Sequence, residues 1–161
     1  MDVRASFTAI VGNLEYPMFI VTARAGDERL GCLIGFATQT SIHPQRFAVC
    51  LSRENRTHRR GRDSAALAVH GVPADAEDLV ELFGGETGDD VDKFARCAWY
   101  DGPEGLPILE RCERWFVGRV VDRLDAGDHE LFLLEPVAAS AGREEDFTFH
   151  RAKRIEPGHP A

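Results

Sequence analysis

The chain has 161 residues, 43% of them hydrophobic and 29% charged, and its 27 acidic against 19 basic side chains give a net charge of -8. That length suits a single domain, which can bury roughly 70% of the surface its unfolded chain exposes without a disulfide or metal staple, and the composition excludes disordered and fibrous classes. The acidic balance argues against a nucleic-acid partner, which needs a broad basic face, and the lack of an uninterrupted apolar run of 18 residues argues against a membrane helix.

Phe7, Ile10, Val11 and Leu14 recur at helical spacing, so residues 2–14 are expected to form a short amphipathic helix covering one end of a sheet. Met18–Ala23 and Leu30–Phe36 are apolar and β-rich around the polar turn at residues 24–29, the pattern of a hairpin. From Gly31 to Ser41 the chain begins as a buried strand and becomes a hydroxyl-rich loop, closed by His43-Pro44. Phe47–Leu51 and Ala65–Val72 read as strands, the second ended by Pro73, with a helical turn between them for which Thr57 is the expected N-cap. Glu77–Phe83 reads as a helix stopped by Gly84 and Gly85.

Lys93–Tyr100, Trp115–Asp122 and Glu130–Pro136 read as extended, with Asp125–His129 as the turn between the last two, and Phe147–His150 as a final strand. Glu156–Ala161, with two prolines and a glycine, reads as a loose tail to a core of about 15–155. Short strands separated by compact turns favour an antiparallel barrel over an alternating α/β sheet.

Between Arg53 and Arg62 this acidic chain places five arginines in ten residues. Ser52, Asn55 and Thr57 are interleaved with Arg53 and Arg56 where a strand hands over to a helix, an arrangement that offers amides, hydroxyls and guanidinium forks to a phosphate. A solvated, charged helix face is an equal reading of the same run, and it suits Arg59, Arg60 and Arg62 best. In the Gly31–Ser41 segment, Gly35 and Ala37 let a flat ligand approach the backbone, while Thr38, Gln39, Thr40 and Ser41 suit the polar edge of a heterocycle.

Glu86, Asp89, Asp90 and Asp92 lack a histidine and the spacing of a calcium loop, so they read as a solvated loop and no metal site is expected. Cys32, Cys50, Cys97 and Cys112 lie too far apart in sequence for a zinc site or redox dithiol. Together with an N-terminus unlike a signal peptide, these thiols point to the cytoplasm. No P-loop, nucleophile elbow or dinucleotide glycine fingerprint is present. His58 and His70 read as structural.

The order of Gly31–Ser41, then Ile42-His43-Pro44, then Ser52-Arg53-Glu54-Asn55-Arg56-Thr57-His58, resembles the flavin reductase family with the FMN-binding split barrel. Asp92-Lys93-Phe94 and Gly127-Asp128-His129, followed by Leu131-Phe132-Leu133, are similar to two further family motifs, so the resemblance spans about residues 15–137. It implies one domain over 1–161, mainly β, built as a six-stranded antiparallel Greek-key split barrel with short peripheral helices. It further implies a homodimer that binds FMN, with FAD as the alternative, and passes hydride from NADH or NADPH to flavin for a partner oxygenase.

Carried over by position, Cys32, Leu33, Ile34, Gly35, Phe36 and Ala37 line the flavin ring and Thr38, Gln39, Thr40 and Ser41 meet its polar edge. Ser52, Asn55, Arg56 and Thr57 hold the phosphate with Arg53 nearby, Lys93 and Phe94 join the cofactor site, and His129 stands near the nicotinamide. Hydride transfer between nicotinamide and flavin is the cofactors' chemistry, so no acid–base residue is required; His129 either orients the nicotinamide or hydrogen-bonds its own turn. Leu33-Ile34-Gly35 stands where the family often has Thr-Val-Ser, and His43-Pro44-Gln45 where it has Asp-Pro-Pro. These departures leave FMN against FAD open and keep two other readings in view: a flavin-binding electron carrier, and a split barrel for another phosphorylated cofactor such as a deazaflavin or pyridoxal phosphate.

Overall fold

The structure, a computed structural model, describes residues 2–143 and 145–159. In chain order the elements are α1 (Val3–Gly12), β1 (Phe19–Ala25), β2 (Glu28–Ile34), β3 (Ala37–Ser41), β4 (Arg46–Ser52), α2 (Arg56–Gly61), β5 (Ala66–Gly71), α3 (Glu77–Gly85), β6 (Trp99–Asp101), β7 (Pro107–Leu109), β8 (Arg114–Asp125), β9 (His129–Ala141) and α4 (Phe149–Ala152). Apolar side chains at alternate positions make one face of each long strand a core face. Val21 and Ala23 of β1, Leu30, Cys32 and Ile34 of β2, Val49 and Leu51 of β4, Leu67 and Val69 of β5, and Phe132 and Leu134 of β9 meet in one cluster.

The main sheet runs β2-β1-β5-β8-β9-β4-β3, with every neighbouring pair antiparallel. β2 and β4 lie at opposite ends of its first six strands, yet their side chains share that core. The sheet is therefore rolled, and beside the seam the Cys50 amide of β4 donates to the Phe36 carbonyl just beyond β2 at 2.9 Å. The out-of-sequence strand order makes this the expected antiparallel Greek-key split barrel. The sheet has seven strands rather than six, because residues 37–41, read from sequence as loop, pair with β4 from Ala37↔Val49 onward. Thr38, Gln39 and Thr40 are exposed, so β3 carries no apolar alternation to betray it.

A second cluster lies outside the barrel, where Leu79, Val80, Leu82 and Phe83 of α3 pack with Met18, Ile20, Phe94, Leu109 and Phe147. Residues 93–100, expected to be extended, instead open on a 3₁₀ turn at Lys93–Ala95. Asp92 caps it by accepting from the Phe94 amide at 3.1 Å, and Lys93 turns inward to donate from Nζ to the carbonyls of Gly31 (3.2 Å) and Phe83 (3.1 Å). Burial lowers the Lys93 pKa from its ordinary value, and the side chain ties β2 to α3. Residues 147–150, expected as a strand, make one isolated bridge at Thr148 and then enter α4.

α1 matches the expected helix, with Asp2 accepting from the Arg4 amide at its start, but it covers no sheet. Its apolar residues Val3, Phe7 and Ile10 are 73%, 62% and 64% exposed. The cap of α2 is Asn55 rather than Thr57: its Oδ1 accepts from the Thr57 amide at 2.9 Å, while Thr57 itself is buried.

His70 of β5 joins three strands. Its Nε2 accepts from the Leu109 amide of β7 at 3.2 Å, so its Nδ1 carries the proton and donates to the Ile20 carbonyl of β1 at 2.9 Å. Burial pushes its pKa down to about 4, outweighing the opposite pull of the Ile20 carbonyl. The unfolded chain thus takes up a proton at His70 near pH 6.5 that the folded protein refuses until about pH 4. Stability tied to this residue is full above pH 6.5 and is lost as pH falls towards 4, by on the order of 3 kcal/mol. Urea unfolding at pH 7 and pH 4.5 is expected to show a larger loss in the wild type than in His70→Gln, whose side chain does not titrate.

Candidate functional site

A cleft of about 420 Å³ opens at the end of the barrel. One wall is the end of β2 and the joint beyond it, Cys32 to Phe36, and another is Phe83 and Gly84 at the end of α3 with Phe149 of α4. Ser52, Asn55, His129 and His159 provide polar groups at one end. Gly35 is required by a close approach: a Cβ there would stand 2.7 Å from the Tyr16 ring, which is stacked on Phe149 with centroids 4.7 Å apart.

The polar end is assembled by the β4–β9 pairing, which sets Ser52 opposite His129. Ser52 Oγ accepts from the Glu54 amide at 3.3 Å. Asn55 spends Oδ1 on capping α2, which leaves its Nδ2 as a donor, and that nitrogen meets His159 Nε2 at 3.0 Å. His129 is held through Nδ1 by the Asp128 carboxylate at 2.6 Å, and its ring leans on Phe36 with centroids 5.1 Å apart. Burial pushes the Cys32 and Cys50 thiols up from their ordinary values, so both line the cleft as neutral groups.

The arginine run is answered by carboxylates from other segments. Arg53 donates to the Gly127 carbonyl at 3.0 Å and to Asp125 at 2.9 Å, clamping the start of α2 to the β8–β9 turn. Arg56 pairs with Glu28 and Asp89, Arg59 with Asp89, Arg60 with Glu28 and Arg62 with Glu130. The Arg56 and Arg59 guanidinium groups hold the Asp89 carboxyl below its ordinary pKa. His58 Nε2 meets Glu130 at 2.6 Å, both side chains buried. Burial alone would raise the Glu130 pKa, but His58 and Arg62 outweigh it and hold it low.

The cleft thus gathers Cys32, Leu33, Ile34, Gly35, Phe36, Ser52, Asn55 and His129. Arg56, Thr57, Lys93 and Phe94 instead border a second cavity of about 470 Å³, beside the β1–β2 turn and residues 88–95. Arg53 faces the β8–β9 turn, and Thr38, Gln39, Thr40 and Ser41 lie along β3 with Ala37 packed against the barrel core. The sequence reading missed Tyr16, Phe83, Phe149, Ile155, Pro157 and His159, which line the cleft from the chain's other segments. Their spacing carries no motif, and only packing of α3, α4 and the tail brings them together.

The model of the flavin reductase like domain matches residues 11–157. The chain belongs to that family. It is 28% identical over 141 residues to a ferric-chelate reductase (NAD(P)H) of Archaeoglobus fulgidus, covering 86% of this chain and 80% of that protein. It is 29% identical over 150 residues to the reductase component of a 4-nitrophenol 4-monooxygenase/4-nitrocatechol 2-monooxygenase of Rhodococcus opacus, covering 93% and 79%. An NADH:FAD oxidoreductase of Streptomyces globisporus C-1027 superposes with a TM-score of 0.82 at 23% identity, over 91% of this chain and 88% of that one, a likeness of fold.

In this flavin reductase-like domain, Asn55 serves both the helix and the cleft, and substitution separates the two. Asn55→Ala loses the cap and is expected to cost about 1 kcal/mol, a fall of roughly 2–4 °C in Tm by calorimetry. Asn55→Asp keeps the capping oxygen and is expected to melt within a degree or so of the wild type.

Proposed function

We propose that the chain is an NAD(P)H-dependent flavin reductase that uses FMN, with FAD the alternative, and supplies reduced flavin to a partner oxygenase. The observation that carries this reading is the cleft itself: apolar walls suited to a flat ring system, ending in Ser52, Asn55 and His129. When bound, the nicotinamide supplies the hydride and the flavin accepts it. The residues present fit a flavin, and the protein's part is orientation and exclusion of water.

Leu33, Ile34, Phe36 and Phe83 line the cleft and would wall a bound ring from solvent. β2 is an edge strand, paired with β1 alone, so part of its backbone is free for the ring's polar edge. This offsets the hydroxyls lacking at Leu33 and Gly35. Ser52 Oγ and Asn55 Nδ2 would hold the phosphate, and His129, positioned by Asp128, would orient the nicotinamide. Support for an oxygenase partner comes from the Rhodococcus opacus relative, itself the reductase component of a monooxygenase.

A homodimer is supported by α1, whose Phe7 and Ile10 stand exposed with Val3 and Leu14 and which buries no residue of its own. A second copy would cover this apolar surface. Cytoplasmic residence is supported by the thiols of Cys32, Cys50 and Cys97. Among the described residues, no helix is long and apolar enough to cross a membrane.

Stopped-flow mixing tests the reaction: NADH or NADPH is expected to bleach the absorbance of protein-bound FMN. Bleaching by dithionite alone would favour an electron carrier instead. His129→Ala is expected to raise KM for NAD(P)H about tenfold, the loss of one good hydrogen bond, with FMN affinity unchanged. Light scattering tests the assembly: the double substitution Phe7→Glu, Ile10→Glu is expected to turn a dimer into a monomer.

A further inference from the structure

Expected from sequence to be a loose tail, the described C-terminal residues are docked on the cleft. The Gly158 amide donates to the Gly84 carbonyl at the end of α3, at 3.1 Å. A Cβ on Gly158 would stand 2.7 Å from the Glu86 carbonyl carbon and 3.0 Å from the Glu86 nitrogen, so glycine alone lets the tail lie this close. Ile155 and Pro157 face the cleft. Beyond them His159 reaches its polar end, where Nε2 lies 3.0 Å from Asn55 Nδ2. Because Asn55 Oδ1 is committed to the Thr57 amide, Nδ2 is the donor and the imidazole nitrogen the acceptor. The His159 ring therefore engages Asn55, and it lines the same cleft as Ser52; these are the two groups assigned above to the flavin phosphate.

We propose that Glu156–His159 is a strap over the polar end of the cleft, which the phosphate of an incoming flavin displaces, so that His159 sets the affinity for phosphorylated flavins. The proposal rests on the flavin reading above. A ligand that binds only the open form has its apparent affinity lowered by the fraction of protein that is open. Among the described residues the Gly158–Gly84 and Asn55–His159 hydrogen bonds, with the contacts of Ile155 and Pro157, help hold the strap closed, and bonds of this kind favour a closed form about tenfold. Riboflavin has the same ring and side chain without the phosphate, and binds without needing the space that His159 fills.

The test is equilibrium titration of FMN and of riboflavin into the 161-residue wild type, His159→Ala and Gly158→Val. His159→Ala removes the contact with Asn55, and Gly158→Val undocks the strap from α3 while leaving its other residues in place. Both sites lie at the chain end, outside the barrel core. The expected result is FMN binding about tenfold tighter in both variants, with riboflavin affinity unchanged. Equal or weaker FMN binding in the variants overturns the strap while leaving the flavin reading intact. Equal tightening of FMN and riboflavin overturns displacement by the phosphate. Failure of all three proteins to bind either flavin overturns the flavin reading, and the strap with it.

Discussion

The antiparallel pairing of β4 with β9 is the constraint on which the rest of this structure depends. Its register places Ser52 opposite His129 and Phe47 opposite Leu134. A slip of one residue would turn Phe132 and Leu134 out of the barrel and Leu131 and Leu133 in. Because Phe132 and Leu134 are wholly buried, the core itself enforces the register. That register brings the start of α2, the β8–β9 turn and the end of β4 to one place. A polar end built from positions 52, 55 and 129 is thus a product of strand pairing.

Around that junction the chain uses charge as fastening. Arg53 bridges to the β8–β9 turn, Arg56 and Arg60 reach Glu28 on β2, and Arg62 reaches Glu130 on β9. Exposed pairs such as Arg53–Asp125 contribute little each, whereas the pair of Arg62 has its Glu130 end buried. Their value here lies in fixing a six-residue helix, too short to be stable on its own, against three strands. Buried polar groups do related work deeper in: Lys93 joins β2 to α3 through two carbonyls, and His70 joins β1, β5 and β7. Each is matched to buried backbone groups by hydrogen bonds.

Where the sequence was legible, it was legible through period and punctuation. The β1–β2 hairpin, the strands at β4, β5, β8 and β9, and the start of α3 all lie where alternation, helical spacing and turn residues put them, but α3 runs through Gly84 and Gly85, expected to stop it, to a cap at Glu86. β3 escaped because its side chains face solvent and its pairing is backbone alone. The 93–95 turn escaped because Lys93, a residue normally solvated, is only 4% exposed and serves as an internal tie. The tail escaped because proline and glycine, which signal looseness in a free chain, here allow close packing against the end of α3.

By itself the sequence determined the barrel class, the family, and the β2 segment, Ser52 and Asn55 as parts of the cleft, because these rest on local patterns that survive in one dimension. Tertiary structure alone decided which of the neighbouring polar residues face that cleft. Arg53, Arg56, Thr57, Lys93 and Phe94 carry the same motifs as Ser52, Asn55 and His129, yet they turn towards ion pairs, the core or the second cavity. The physical reason is competition for partners: a guanidinium or ammonium goes to the carboxylate or carbonyl that folding brings nearest, and those partners come from segments distant in sequence.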